Sequence, residues 1–266
     1  MHRKIFQGRT ASLLISAAAL ALSIAGVMYG QGGRGGRGGP PPVPLTPKQN
    51  APEDLTGYWV SLVTEDWRFR MVTPAKGDYA SVPLNGPGRA MANQWDPDKD
   101  IAAGEQCKSY GAPGLMRVPG RLHITWVDDK TLKVEMDSGE QIRIFHFDTP
   151  APADEKPSLQ GYSEAMWEGP PPGRGAPRGP LRAGSLKVVT THLKPGYLRK
   201  NGVPYSANTV LTEYYSRTNE TDGTSYLIIT TVVEDPMYLA QNFITSTHFK
   251  MEPNGSKWMP MPCEAK

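Results

Sequence analysis

The chain predicts a mainly β fold: a single antiparallel barrel or sandwich with one short helix and long loops. Three observations carry that expectation. Leu122, Ile124 and Trp126 alternate with Arg121, His123 and Thr125, and Leu132, Val134 and Met136 with Lys133 and Glu135, the period of a half-buried strand. Turn residues separate about nine or ten short β-rich runs at regular spacing. Long amphipathic helices, a GxGxxG turn after a strand and a P-loop are all missing from the 266 residues, which excludes Rossmann and P-loop chemistry.

Arg3, Lys4 and Arg9 precede an apolar run from Ala11 to about Tyr29, the pattern of an export signal over residues 1–30, cleaved between about Ala25 and Gln31. An uncleaved anchor is the alternative, but the run is rich in Ala and Ser and lacks a charged stop-transfer flank. The expectation is a periplasmic or secreted protein with no stable membrane span after cleavage. Loss of those three cations, with no carboxylate beside them, takes the formal charge from +3 to neutral. A near-neutral domain has no electrostatic footprint for nucleic acid. Residues 31–53 are rich in Gly, Arg and Pro at first and polar later, and read as a flexible linker.

The all-β domain is expected over residues 54–266. Tyr58 to Val63 and Trp67 to Val72 read as strands around the polar turn Thr64-Glu65-Asp66. Arg89 to Trp95 is the helix, stopped by Pro97. A long Gly/Pro-punctuated loop follows from Asp98 to Gly120 with Cys107 in its middle. An even cysteine count in an exported chain predicts a disulfide between Cys107 and Cys263, two free buried thiols being the alternative. Arg121 to Val127, Thr131 to Met136 and Gln141 to Phe147 form a three-strand meander, turned at Asp128-Asp129-Lys130 and Asp137-Ser138-Gly139. Gly161 to Trp167 is a further short strand. The stretch 169–184 is Gly, Pro and Arg and reads as an insertion.

Ser185 to Arg217 gathers the densest set of reactive side chains. Two β-rich runs flank a loop carrying Tyr197, Arg199, Lys200 and Tyr205. Alternation puts Leu186, Val188, Thr190 and His192 on one face of the first run, and Leu211, Glu213, Tyr215 and Arg217 on one face of the second. Glu213 stands between apolar neighbours, where a carboxylate must be exposed, paired (Arg143, Arg199 and Arg217 are the candidates) or lining a cavity. His192 and Glu213 are therefore one candidate acid–base pair. Glu65 and Asp66, beside Trp67 and Arg68, are another, because a carboxylate against an indole can have its pKa raised. A polar turn with an internal Asp–Arg pair accounts for the same residues. The remaining histidines are isolated and no Cys-x-x-Cys occurs, so no metal and no cofactor are expected. Strands 224–234 and 242–251 complete the pattern, and Trp258 to Cys263 returns to the covalent clamp.

The Gly57-x-Trp59 spacing resembles the start of lipocalin-like barrels, in which a Trp plugs the closed end. Together with Gly104-Glu105-Gln106-Cys107, Met116-Arg117-Val118-Pro119-Gly120-Arg121, the His192–Tyr205 loop, Leu211-Thr212-Glu213-Tyr214 and Glu234-Asp235-Pro236, it resembles a group of uncharacterised exported proteins of acidobacteria and related bacteria. That resemblance implies an exported location and no particular activity. The expected function is binding of a small, partly apolar organic molecule in a pocket lined by Trp59, Trp67, Arg68, Arg143, Tyr197, Arg199, Tyr205 and Tyr215. Two alternatives are a cofactor-independent lyase, isomerase or hydrolase on the same scaffold, and an envelope interaction protein docking through the Gly/Pro/Arg arms.

Overall fold

A computed structural model describes residues 44–169 and 184–266. The expected export segment, residues 31–43 and nearly all of the 169–184 insertion lie outside the described residues. The strands are β1 (Gly57–Leu62), β2 (Arg121–Trp126), β3 (Thr131–Met136), β4 (Gln141–Phe147), β5 (Tyr162–Glu168), β6 (Ser185–Thr191), β7 (Gly196–Arg199), β8 (Val203–Tyr205), β9 (Val210–Asn219), β10 (Ser225–Glu234) and β11 (Phe243–Glu252). Nine of them close a barrel in the order β1-β2-β3-β4-β5-β6-β9-β10-β11, with β11 returning to β1. The remaining two form a separate ribbon, β7-β8, inside the connection from β6 to β9.

The expectation of a purely antiparallel sheet needs one correction. A ring whose neighbours all run antiparallel must have an even number of strands, so a ring of nine requires one parallel contact. It falls between β4 and β5, where Phe145 pairs with Ser163 and Phe147 with Ala165. Parallel neighbours need a long crossover, and residues 148–161 supply it.

The meander β2-β3-β4 follows its alternation. Leu122 pairs with Met136, Ile124 with Val134, and Leu132 with Phe145, all buried. The interior is filled by side chains: Trp59, Arg143, Tyr215, Phe145, Phe147 and Phe249 are among the largest fully buried residues. Each large apolar group there contributes roughly 1.5–3 kcal/mol relative to exposure. Trp59 occupies one end of the barrel, its indole N–H donating to the Leu55 carbonyl at 3.0 Å and its ring under the Arg217 guanidinium at 5.6 Å. At the opposite end Leu198, Val203 and Tyr205 of the β7-β8 ribbon pack with Leu211, Val233 and Phe243 of the barrel strands and with Tyr79, Val82 and Leu84. The ribbon is a plug.

Among the described residues, four short α-helices and one 3-10 turn (Lys108–Tyr110) stand where a single helix is expected: α1 (Trp67–Arg70), α2 (Gly86–Ala92), α3 (Pro97–Ala102) and α4 (Ala112–Leu115). Trp67 to Val72 is therefore not a strand. Asp66 takes a left-handed φ of 49°, which turns the chain out of the strand direction, and the next residues coil. Helix α2 begins three residues before the predicted Arg89 because Asn85 caps it, accepting from the Gly88 N–H at 2.8 Å, with Pro87 in the first turn. Residues 44–53, read as linker, are ordered as well. Pro47 accepts the Trp167 indole N–H at 2.8 Å, and the Glu53 carboxylate accepts from the Arg217 N–H at 2.6 Å.

Candidate functional site

Glu213 and Arg143, both singled out by sequence, meet inside the barrel. Arg143 Nη1 lies 2.7 Å from Glu213 Oε2, and neither side chain has any solvent exposure. Arg143 Nη2 donates to Thr190 Oγ1 at 3.0 Å, and Thr190 shares a 2.8 Å hydrogen bond with Ser163. Tyr215 is beside them, its hydroxyl 3.5 Å from Arg143 Nη1. Burial raises the Glu213 carboxyl and Arg143 opposes that rise. For Arg143 the balance is reversed: burial works against its charge, and Glu213 together with Tyr215 more than offsets it. The 2.7 Å contact decides for an ion pair, since a guanidinium with no route to solvent needs its anion. This group is sealed and serves the barrel.

His192 does not join it. Its φ of 55° ends β6 at Thr191 and takes the imidazole off the inward face, where it meets Thr191 Oγ1 at 2.9 Å. Glu213 is paired in register with Val188 instead. The predicted His192–Glu213 pair is thus not brought together, for a backbone reason that strict alternation overlooks.

Arg199 lines a cleft of about 240 Å³ beside the plug, and Glu65 and Asp66 are tied to it only through Arg70 and Arg117 of its wall. Its walls are the α1 segment, the chain around α4, the end of β7 and the C-terminal residues 261–264. Asp66's turn sends Phe69 and Arg70 into the cleft wall and leaves Trp67, Met71 and Val72 exposed. Arg70 donates from Nε to the Arg117 carbonyl at 2.9 Å and pairs through Nη1 with Glu65. Arg117 pairs through Nη2 with Asp66 at 3.0 Å. Arg199 donates from Nη1 to the Ala80 carbonyl at 2.7 Å, and its guanidinium lies 4.2 Å over the Phe69 ring. Burial, with the neighbouring Arg117 charge behind it, brings Arg199 down to about 10. Burial also lowers Arg70, against the pull of Glu65.

The fourth wall is covalently fixed. Cys107 and Cys263 form a disulfide, as the cysteine count predicts, with their Cα atoms 5.1 Å apart. Met261 locks onto the β3–β4 turn by donating to the Asp137 carbonyl at 2.9 Å and accepting from Gly139 at 2.7 Å. A disulfide indicates an oxidising compartment. Among the described residues no helix is long and apolar enough to cross a membrane, which leaves open what β-strands do.

The other predicted residues disperse. Trp59 is at the barrel end, and Trp67 is 64% exposed. Arg68 pairs with Asp78 on the surface. Tyr197 donates to Asp100 at 2.8 Å, and burial together with that carboxylate raises it to about 12. Tyr205 is buried in the plug against Gly111 and Gly196, its hydroxyl without a partner among the described residues. Sequence reasoning misses Arg70, Arg117, Lys200 as a wall residue, and His248, whose Nδ1 meets Glu65 Oε2 at 3.2 Å. Arg117 lies within the Met116–Arg121 motif, the one signal that points to it. Among the described residues no group of three or more His, Cys, Asp or Glu side chains is arranged to hold a metal.

Fold and site together define a closed, side-chain-filled nine-stranded barrel with a cleft at the plugged end bordered by Arg70, Arg117 and Arg199. No family model, curated protein or solved structure matches the chain.

Proposed function

We propose that this is an exported, periplasmic or secreted protein that binds a small, partly apolar organic molecule in the cleft between α1, α4, the end of β7 and the C-terminal segment. One observation carries the reading: the cleft combines an apolar lining (Phe69, Tyr110, Val118 and Leu198 among it) with convergent polar groups. Ligand sites characteristically have that composition. The barrel interior does not offer the alternative, because its axis is occupied by Trp59, Phe145, Tyr215 and the Arg143–Glu213 pair. A cleft of about 240 Å³ restricts the ligand to a small molecule. Proton-transfer chemistry has less support, since Glu65 and Asp66 are engaged with Arg70 and Arg117.

The test is a fragment screen by heteronuclear NMR on the oxidised protein. Hits should perturb Phe69, Val118 and Leu198, and a Leu198→Trp variant that fills the cleft should abolish them. Hits that perturb other surfaces alone, or survive the filled cleft, refute the assignment.

A further inference from the structure

Three guanidinium groups border the cleft, and each retains one nitrogen with no acceptor among the described residues: Arg70 Nη2, Arg117 Nη1 and Arg199 Nε. All three residues are more than nine-tenths buried, at 8%, 6% and 4% exposure. A buried donor left unpaired is costly, and native proteins almost always satisfy such groups with protein, water or a bound ion. Three of them around one small cleft is not the pattern of a finished ion-pair network. Arg70 and Arg117 have carboxylate partners in Glu65 and Asp66, whereas the acceptors of Arg199 are a neutral carbonyl and the Ser81 hydroxyl. Lys200 adds a fourth cation to the wall, 3.6 Å from a largely exposed Glu264. Arg117 also disfavours the charge on both Arg70 and Arg199, so the cations repel one another across the site.

We infer that the cleft takes an organic oxyanion, a carboxylate or phosphate monoester on an apolar body, whose oxygens accept the free N–H groups of Arg70, Arg117 and Arg199. The inference rests on the ligand-binding reading above and names its chemical class. Guanidinium forks suit the planar or tripodal oxygens of such groups. The apolar body lies against Val118 and Leu198. The free nitrogens are closed to solvent, and Phe69, stacked on the Arg199 guanidinium, is the side chain that turns aside to admit the anion. In doing so it exchanges one cation–π contact for charge-assisted hydrogen bonds, the stronger of the two interactions.

The experiment is calorimetric titration of the oxidised protein at low ionic strength with four probes: phenylacetate, phenyl phosphate, phenylacetamide and inorganic phosphate. At least one aryl anion should bind about tenfold or more tightly than the neutral amide, the factor expected for charge-assisted hydrogen bonds. Arg199→Gln should erase that preference, the aryl anion falling to the amide's affinity or below. Should that variant fail to fold, Arg199→Lys keeps the charge without the fork and must still weaken the aryl anion severalfold. Equal affinity for aryl anion and amide overturns the oxyanion inference and leaves the ligand reading intact. Inorganic phosphate binding as tightly as the aryl anions means that the apolar walls contribute nothing, and it overturns both. No binding by any of the four leaves water as the partner of the three nitrogens, and it also overturns both.

Discussion

The sealed ion pair gives the sharpest test of how this barrel is held together. Glu213→Leu leaves the Arg143 guanidinium inside the barrel with no anion, and Arg143→Met leaves Glu213 with no cation. Breaking one side of a buried pair typically costs ~3–5 kcal/mol, because the survivor stays desolvated and uncompensated. For a domain of this size ~1 kcal/mol moves Tm by roughly 2–4 °C, so each single variant should lose roughly 6–20 °C. The double variant Arg143→Met/Glu213→Leu replaces both charges with apolar groups of similar bulk. Thr190 and Ser163 remain partners for each other at 2.8 Å, while the Tyr215 hydroxyl loses its neighbour. The double variant should therefore lie within about 2 kcal/mol of the natural protein. The assay is equilibrium guanidinium denaturation of the four proteins with the disulfide intact, read by Trp fluorescence and far-UV circular dichroism. The cycle should yield a coupling of about 3 kcal/mol or more, well beyond the additivity expected of unconnected sites. Additive losses, or a single variant within about 1 kcal/mol of the natural protein, would refute a charged pair as the organising contact of the interior.

Three further outcomes are expected. Removing the disulfide by Cys107→Ser/Cys263→Ser opens a loop spanning 156 residues of sequence separation. The chain-entropy model puts the loss near ~5 kcal/mol, measurable by denaturation, and proteases should then trim residues 261–266 first. Asp235 is buried and accepts from the Ser206 N–H and hydroxyl, the Thr209 hydroxyl and the N–H groups of Met237 and Tyr238. Asp235→Ala should therefore cost about 3 kcal/mol or more, with Asp235→Asn recovering part of it; a loss below about 1 kcal/mol would contradict that role. Burial lowers the His146 imidazole, which stacks on Tyr162 at 4.5 Å. The unfolded chain then takes up that proton more readily than the folded one. His146 accordingly contributes stability above the ordinary imidazole range, and this is lost as pH falls through its folded pKa. His146→Gln should flatten the acid-side stability slope, and NMR titration of the ring should place its midpoint below ~6.5.

How far the fold is legible in the sequence depends on whether the determinant is local. Strands β3 and β4 match their predicted bounds because turn residues mark their ends and burial has a period of two along each, although β4 turns Arg143, Phe145 and Phe147 inward and leaves Ile142 exposed. The stretch 67–70 misleads because Trp and Phe favour strands, while the decisive fact is the left-handed turn at Asp66. Glu213 and Arg143 are conspicuous as charges within apolar alternation, yet nothing local pairs them. They sit on β9 and β4, with β5 and β6 between those strands in the ring. The cleft is less legible still. Arg70 and Arg117 stand far apart within the long β1–β2 connection and Arg199 ends β7, and only Arg199 stands out in the sequence before the chain closes around all three.

Why the candidate site lies outside the barrel follows from what the barrel is asked to hold. A nine-stranded ring encloses a volume that either receives a ligand or is filled by side chains. Here Trp59 takes one end, the β7-β8 ribbon the other, and the Arg143–Glu213 layer lies between strands that also bring in Phe145 and Tyr215. Opening a cavity there means deleting a packed aromatic or breaking the ion pair, at several kcal/mol either way. Loops at the plugged end carry no such constraint, and function commonly resides where a rigid scaffold positions loops. The 69–73 wall is tied to Glu65, and Arg117 to Asp66. The C-terminal wall is held by a disulfide and by paired backbone hydrogen bonds to the β3–β4 turn. A site whose walls are fixed before a ligand arrives loses little ordering entropy on binding. On the oxyanion inference, the part that moves is the Phe69 ring over the Arg199 guanidinium. Affinity in this protein should accordingly respond to Phe69 and Arg199 much more than to any residue of the barrel.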